Sequence, residues 1–68
     1  MELDIWYKLD PPEKRREYVY PDGGLVFFGV TDLKVSSHGN HYFKHQDGYA
    51  IVAHGWRAIL LDIDAMTV

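Results

Sequence analysis

The sequence predicts an all-β fold, or a β-rich fold with one short helix, in which five or six short strands form a small antiparallel barrel or a curled sheet. Several short segments alternate apolar and polar residues, as strands with one buried face do. Turn-forming residues separate these segments, most clearly at Pro21-Asp22-Gly23-Gly24 and Asp47-Gly48. The length of 68 residues predicts a single domain over residues 1–68.

The composition indicates a chain that folds without covalent cross-links. Hydrophobic residues make up 47% of the chain, which is too many for a disordered protein, and there is no cysteine to form a disulfide. No apolar run is long enough to span a membrane, and the N-terminus lacks the pattern of a signal peptide. We therefore expect a cytoplasmic protein. The net charge of −3 disfavours nucleic acid as the main partner.

The first third of the chain predicts a strand, a break and a hairpin. Met1–Leu9 alternates apolar and polar residues as a strand does. The break follows at Asp10, where an N-cap and two prolines predict a helix of one or two turns over residues 11–17. A polar loop is the alternative for this segment.

Around Pro21-Asp22, a type I turn predicts that residues 18–20 and 25–30 form a hairpin. The second strand is apolar on both faces, which predicts a central position in the sheet. Residues 33–35 predict a further strand.

In the second half, Asp47-Gly48 predicts a hairpin with a two-residue type I′ turn. Its register would place His41 opposite His54. The final run, residues 57–64, fits both a strand and a helix. We favour the strand, since the neighbouring segments are β and the acidic residues at its end would oppose a helix dipole.

All four histidines lie between His38 and His54, and imidazole is a common metal ligand. Two histidines opposed on neighbouring strands would lie within reach of one metal ion, so the candidate metal ligands are His38, His41 and His54. The alternatives are a pH-dependent interface, or histidines that only hydrogen-bond to water and backbone. The spacing of His41 and His45 does not suit one metal, because four residues of a strand span about 13 Å.

Ten aromatic side chains are too many for the interior of so small a domain, and aromatic residues are enriched at protein interfaces. We therefore expect a non-catalytic protein-binding module with an exposed aromatic and apolar strand surface and an acidic rim. Its partner would be another protein or a second copy of the chain. A phage-type inhibitor of a larger host complex would have this size and charge. The candidate contact residues are Tyr18, Tyr20, Phe28, Tyr42 and Trp56.

The alternative function is a small barrel that binds single-stranded nucleic acid. The basic residues Lys14, Arg15 and Arg16 would contact phosphates, and nearby aromatic side chains would stack on bases. The same basic cluster also fits a solvated face that is neutralised by its glutamate neighbours. No cofactor motif is present, and the sequence predicts no enzyme, because neither Ser36-Ser37-His38 nor the pair Asp62 and Asp64 has the surroundings that catalysis needs.

Overall fold

The computed structural model of the chain describes residues 2–63. Within this range five antiparallel strands form one sheet, and there is no helix. The strands are β1 (Tyr7–Tyr20), β2 (Gly23–Val35), β3 (His41–His45), β4 (Gly48–Val52) and β5 (Ala58–Ile63). They lie in the order β4-β3-β2-β1-β5, so β4 and β5 are the sheet edges. The predicted all-β class with a curled antiparallel sheet is confirmed, although β1 and β2 are long, with 14 and 13 residues.

The helix and the polar loop predicted for residues 11–17 are both wrong, because β1 runs through this segment. The register between β1 and β2 shifts between Lys8 and Glu13. The two prolines lie in this irregular stretch, where their missing N–H groups are tolerated. From Glu13 onward β1 pairs with β2 on one side and β5 on the other. Two ladders of backbone hydrogen bonds stabilise the strand, whereas a helix of one or two turns is costly to nucleate.

The first hairpin is confirmed. Tyr20 pairs with Gly23, so Pro21 and Asp22 are the two loop residues. The segments predicted as separate strands over residues 25–30 and 33–35 are parts of the continuous strand β2. As its two apolar faces predict, β2 is an interior strand of the sheet, between β1 and β3.

The second hairpin is confirmed, but its loop lies one residue earlier than predicted, so every cross-strand partner differs from the prediction by two residues. His45 pairs with Gly48, so the loop residues are Gln46 and Asp47. A type I′ turn needs positive φ at both loop residues. Among residues 2–63, Asp4 is the only non-glycine residue at positive φ, whereas Gly48 has a φ of 126°. The glycine therefore takes the unusual backbone conformation just after the turn instead of inside it.

The outer boundaries of the sheet differ slightly from the prediction. The first strand begins at Tyr7, because residues 3–4 form a turn. The strand interpretation of the last segment is confirmed by β5, which pairs with β1 from Ala58 to Ile63. Met1, with which the predicted first strand begins, and Asp64, with which the predicted last strand ends, lie outside the described residues.

One face of the sheet, the core face, carries the buried side chains. These are Tyr18, Val30, Leu33, Phe43 and Val52. The connection between β4 and β5, residues 53–57, crosses this face from one edge of the sheet to the other. In a flat sheet of five strands the edges would be about 19 Å apart, close to the full reach of about 21 Å for this connection.

Contacts along the connection show that it lies on the core instead of running over its rim. The ring centroid of Trp56 is 4.9 Å from that of Tyr18. The Tyr20 hydroxyl donates a hydrogen bond of 2.6 Å to the Ala53 carbonyl. Both contacts require the sheet to curl around the connection.

Candidate functional site

Four polar side chains on the core face form a hydrogen-bonded network, which we call the buried polar network (Glu13, Arg16, Tyr18 and His41); the first three are buried and His41 is half-buried. The Arg16 guanidinium donates two hydrogen bonds to the Glu13 carboxylate, of 2.6 and 2.7 Å. Its remaining nitrogen, Nη1, donates to the Tyr18 hydroxyl at 2.8 Å. That hydroxyl also lies 2.7 Å from Nδ1 of His41. The network thus connects a carboxylate to an imidazole through two intermediate side chains.

Local register explains how these side chains come to one face. On β1, Arg16 and Tyr18 are two residues apart and point to the same side of the strand. The ladder between β1 and β5 shifts between Glu13 and Arg15. This extra residue rotates Glu13 onto the face of Arg16, where both side chains are more than 90% buried. The bulge therefore makes the buried ion pair.

Burial changes the proton affinities of this network. It raises the pKa of the Tyr18 phenol, although the charge of Arg16 opposes the change. Burial also lowers the pKa of His41, and the positive charge of Arg16 lowers it further. For Arg16 burial alone would lower the pKa, but the hydrogen bond to Glu13 and the electrostatic interactions with Tyr18 and Glu13 outweigh it, so the pKa is raised. At neutral pH the network therefore holds a charged ion pair and a neutral phenol and imidazole.

Apart from Nε2 of His41, the side-chain hydrogen-bonding nitrogens and oxygens of this network are bonded to one another. No buried side-chain nitrogen or oxygen in residues 2–63 is without a hydrogen-bond partner. The rings of Trp56 and Phe43 pack on Tyr18, with centroids 4.9 and 6.0 Å away. We therefore interpret the network as a support that fixes β1 against β3 and the crossing connection.

The register of the second hairpin removes the geometric basis of the predicted metal site. His41 faces Val52 instead of His54, and its Nδ1 is engaged by Tyr18. His54 lies beyond the end of β4, where its N–H bonds to the Asn40 side chain. His38 is exposed in the preceding turn. In the described part of the chain, no three side chains of the metal-ligating types come together to hold an ion.

The five candidate contact residues do not form one exposed surface. Tyr18 has no exposed surface, so its prediction as an exposed anchor is wrong. Trp56 and Tyr20 are half-buried over the core. Tyr42 is half-buried beneath a lysine, and Phe28 is 46% exposed. Among these aromatic residues, only Phe28 is mainly open to solvent.

The predicted basic cluster is also divided by the strand. Arg16 is buried against Glu13, while Arg15 points to the opposite face and pairs with Glu17 at 2.6 Å. Only Lys14 is exposed without such a carboxylate contact among the described residues. The three side chains therefore cannot contact one phosphate backbone together.

Beside Phe28 lies an open cleft of about 520 Å³, lined by Pro12, Glu13, Lys14, Phe28, Gly29 and Gln46. Its carboxylate, Glu13, is already held by Arg16. The groups that the cleft leaves free for a ligand are the Lys14 amine and the Phe28 ring. These two groups do not define a class of ligand.

Two further surfaces become visible only in the folded sheet. The first lies on the face opposite the core and is called the aromatic–lysine face (Trp6, Lys8, Lys34, Tyr42, Lys44 and Tyr49). Here Lys8 pairs with Asp32, Asp32 with Lys44, and Lys44 with Tyr49, in one row across four strands. The next row joins Lys34 to Tyr42.

The sequence carries a signal for this face that the prediction did not use. Aromatic and lysine residues alternate at Trp6 and Lys8 and again at Tyr42 and Lys44. Residues two apart on a strand share a face, so each pair was assignable to one surface.

The second surface is the β5 edge surface (Leu60, Leu61 and Ile63). These side chains are 50, 49 and 48% exposed. Leu60 faces outward beside Glu17, whereas Leu61 and Ile63 lie on the core face beside Arg16 and Glu13. The strand is therefore apolar on both faces at an open edge of the sheet.

Comparisons with known proteins add no assignment to these sites. The chain matches no protein-family model, no curated protein and no solved structure. Within residues 2–63, no helix has the length and apolar character needed to cross a membrane.

Proposed function

We propose that the protein is a non-catalytic protein-binding module and that its contact is the β5 edge surface. The observation that supports this is the exposure of Leu60, Leu61 and Ile63 at a sheet edge. An edge strand presents unpaired backbone donors and acceptors, and natural edges are usually protected by lysine, proline or a bulge. From Ala58 to Ile63 β5 contains neither lysine nor proline.

The partner that we propose is a second copy of the chain. An antiparallel pair of β5 strands related by a twofold axis would place Leu60 opposite Leu60 of the second copy. In that register Asp62 lies opposite Ala58 of the second copy, so the two carboxylates do not face each other. The dimer would continue the sheet to ten strands, pair the free backbone groups of β5 and bring its apolar side chains against those of the second copy on both faces of the sheet.

Two acidic residues lie at this contact, and one of them, Glu17, is paired with Arg15. Asp62 is exposed on the strand itself, and Glu17 lies next to Leu60 on the outer face. Charged rims influence the association rate and the choice of partner more than the affinity. The apolar residues would therefore provide most of the binding energy.

The test measures the mass of the purified chain by sedimentation and by light scattering, from micromolar to millimolar concentration. The comparison is between the native chain, Leu60→Lys, and Tyr49→Lys at the opposite edge of the sheet. Tyr49 is 73% exposed, so the control makes the same kind of change on an open edge strand. Circular dichroism confirms that both variants fold.

We expect a native dimer, a monomeric Leu60→Lys variant and a dimeric Tyr49→Lys variant. A buried lysine in an apolar interface lacks a partner, so the dimer should weaken by at least tenfold. A native chain that stays monomeric at every concentration contradicts the proposal. So does a dimer that tolerates Leu60→Lys.

A further inference from the structure

The aromatic–lysine face has a composition that neither the core nor the β5 edge surface shares. Three of the four lysines of the chain, Lys8, Lys34 and Lys44, lie on it. One carboxylate, Asp32, lies between them. The face therefore carries two net positive charges, on a chain whose net charge is −3.

Two of the three lysines of this face, Lys34 and Lys44, are placed against aromatic rings instead of carboxylates. Nζ of Lys34 lies 5.3 Å from the ring centroid of Trp6 and 4.6 Å from that of Tyr42. Nζ of Lys44 lies 6.0 Å from the ring centroid of Tyr49. The ion pairs found within residues 2–63 involve arginines only. The ammonium groups thus remain available to an external anion, and the rings hold two of them in place.

The rings themselves are open to solvent. Tyr49 is 73% and Trp6 44% exposed, and their centroids are 6.0 Å apart in an edge-on arrangement. Ile51, 65% exposed, extends the same surface on β4. Exposed rings beside free ammonium groups can stack on a planar ligand while the charges contact its anionic backbone.

We propose that the aromatic–lysine face binds single-stranded nucleic acid. Proteins that bind single strands combine aromatic stacking platforms with cationic side chains along the backbone. A duplex hides the faces of its bases, so this open sheet face suits an unpaired strand. Lysine is depleted in the centre of protein interfaces, which argues against a protein on this surface. This proposal concerns a different surface from the β5 edge surface. It does not depend on the proposed dimer.

The experiment measures fluorescence anisotropy of labelled oligothymidine and oligouridine of about 12 nucleotides, within the usual footprint of such proteins. A duplex of the same length and poly-glutamate are the comparison ligands. The variants are Tyr49→Ala, Lys44→Gln, and Lys14→Gln, which removes the same charge from an exposed residue outside the face. Circular dichroism checks the fold of each variant.

We expect both single strands to bind more tightly than the duplex, with a salt dependence that reports the phosphate contacts. Three lysines predict a slope of log affinity against log salt of about −2, and Lys44→Gln should flatten it by about 0.7. Loss of one stacking ring in Tyr49→Ala should weaken binding about 5- to 150-fold. Lys14→Gln should leave both the affinity and the slope close to native values.

Three outcomes would overturn the proposal. The first is no binding of either single strand at low salt. The second is an equal loss in Lys14→Gln and Lys44→Gln, which would show unspecific attraction to charge. The third is equal or tighter binding of poly-glutamate, which would identify an acidic polypeptide as the ligand of this face.

Discussion

The Tyr18 hydroxyl lies 2.7 Å from Nδ1 of His41, although β2 separates their strands in the sheet. Neighbouring strands are about 4.8 Å apart, so two side chains on strands once removed meet only when both lean inward over the strand between them. The ring centroids of these two residues are 5.6 Å apart in an edge-on arrangement. This contact shows that the sheet is curled. It also makes the stability of the fold depend on the protonation of His41.

Acid should destabilise the fold through His41. Its pKa is lowered in the folded state, first by burial and then by Arg16, with Glu13 opposing. The unfolded chain therefore takes up this proton at higher pH than the folded chain does. The contribution of His41 to stability is complete above about pH 6.5 and decreases as the pH falls through the interval down to the lowered pKa.

Thermal unfolding followed from about pH 8 to about pH 5 checks this expectation. The native Tm should fall on the acidic side more steeply than that of His41→Gln, whose amide still hydrogen-bonds. His38→Gln, at an exposed turn residue, serves as the control and should keep the native slope. Equal slopes in the native chain and His41→Gln would contradict the assignment.

Separating the buried ion pair should cost more than removing it. Arg16→Met leaves the Glu13 carboxylate buried without its partner and should destabilise the fold by about 3–5 kcal/mol. That is a large part of the total of about 3–10 kcal/mol expected for a domain of this size. Arg16→Met combined with Glu13→Leu removes both charges and should be more stable than Arg16→Met alone.

Urea unfolding of the native chain, both single variants and the double variant gives the coupling energy of this pair directly. A double variant that is less stable than each single variant would show that the pair acts through something other than mutual neutralisation.

The core should depend on Phe43 far more than the outer face depends on Tyr49. Phe43 has no exposed surface, and its ring centroid is 4.7 Å from that of Phe27. Phe43→Ala should cost about 3–5 kcal/mol, whereas Tyr49→Ala, at a mainly exposed ring, should change stability by less than about 0.5 kcal/mol. Denaturant midpoints of the two variants test this contrast. Similar losses of stability in both variants would contradict the central position of Phe43 in the core.

The register of the second hairpin predicts the sign of one loop substitution. Asp47 does not have positive φ, so Asp47→Gly adds freedom to the unfolded chain without relieving strain. It should destabilise the fold by about 0.5–1 kcal/mol. In the register with Asp47-Gly48 as the loop, the same change would relieve a residue at positive φ and stabilise the fold. The direction of the Tm shift therefore distinguishes the two registers.

Local sequence patterns predict the sheet well where a strand pattern and a neighbouring turn signal indicate the same hairpin. The Pro21-Asp22 turn between two apolar segments identifies the first hairpin, and the apolar faces of β2 indicate its interior position. The two prolines of β1 led to the wrong prediction of a helix or loop. A strand tolerates them here because the ladder with β2 is irregular at this point, which the sequence does not show. Tertiary pairing thus overrides a local helix signal.

The candidate sites were less predictable for a similar reason. A dipeptide such as Asp47-Gly48 signals a turn but does not fix which two residues form the loop. Moving the loop by one residue changes the partner of His41 from His54 to Val52. The contact of Glu13 with Arg16 depends on a bulge between Glu13 and Arg15 that no pattern in the sequence marks. The alternation at Tyr42 and Lys44, in contrast, required only the strand assignment and was sufficient to place both on one face.

The pairing of β1 with β5 has a consequence for how the chain acquires its fold. Val19 and Ala58 are partners although 39 positions separate them, and contacts of such separation form slowly because a long loop must close first. Hairpins of neighbouring strands close early, so during synthesis one side of β1 stays unpaired until β5 has emerged. Conditions that delay synthesis of β5 should therefore expose β1 to aggregation.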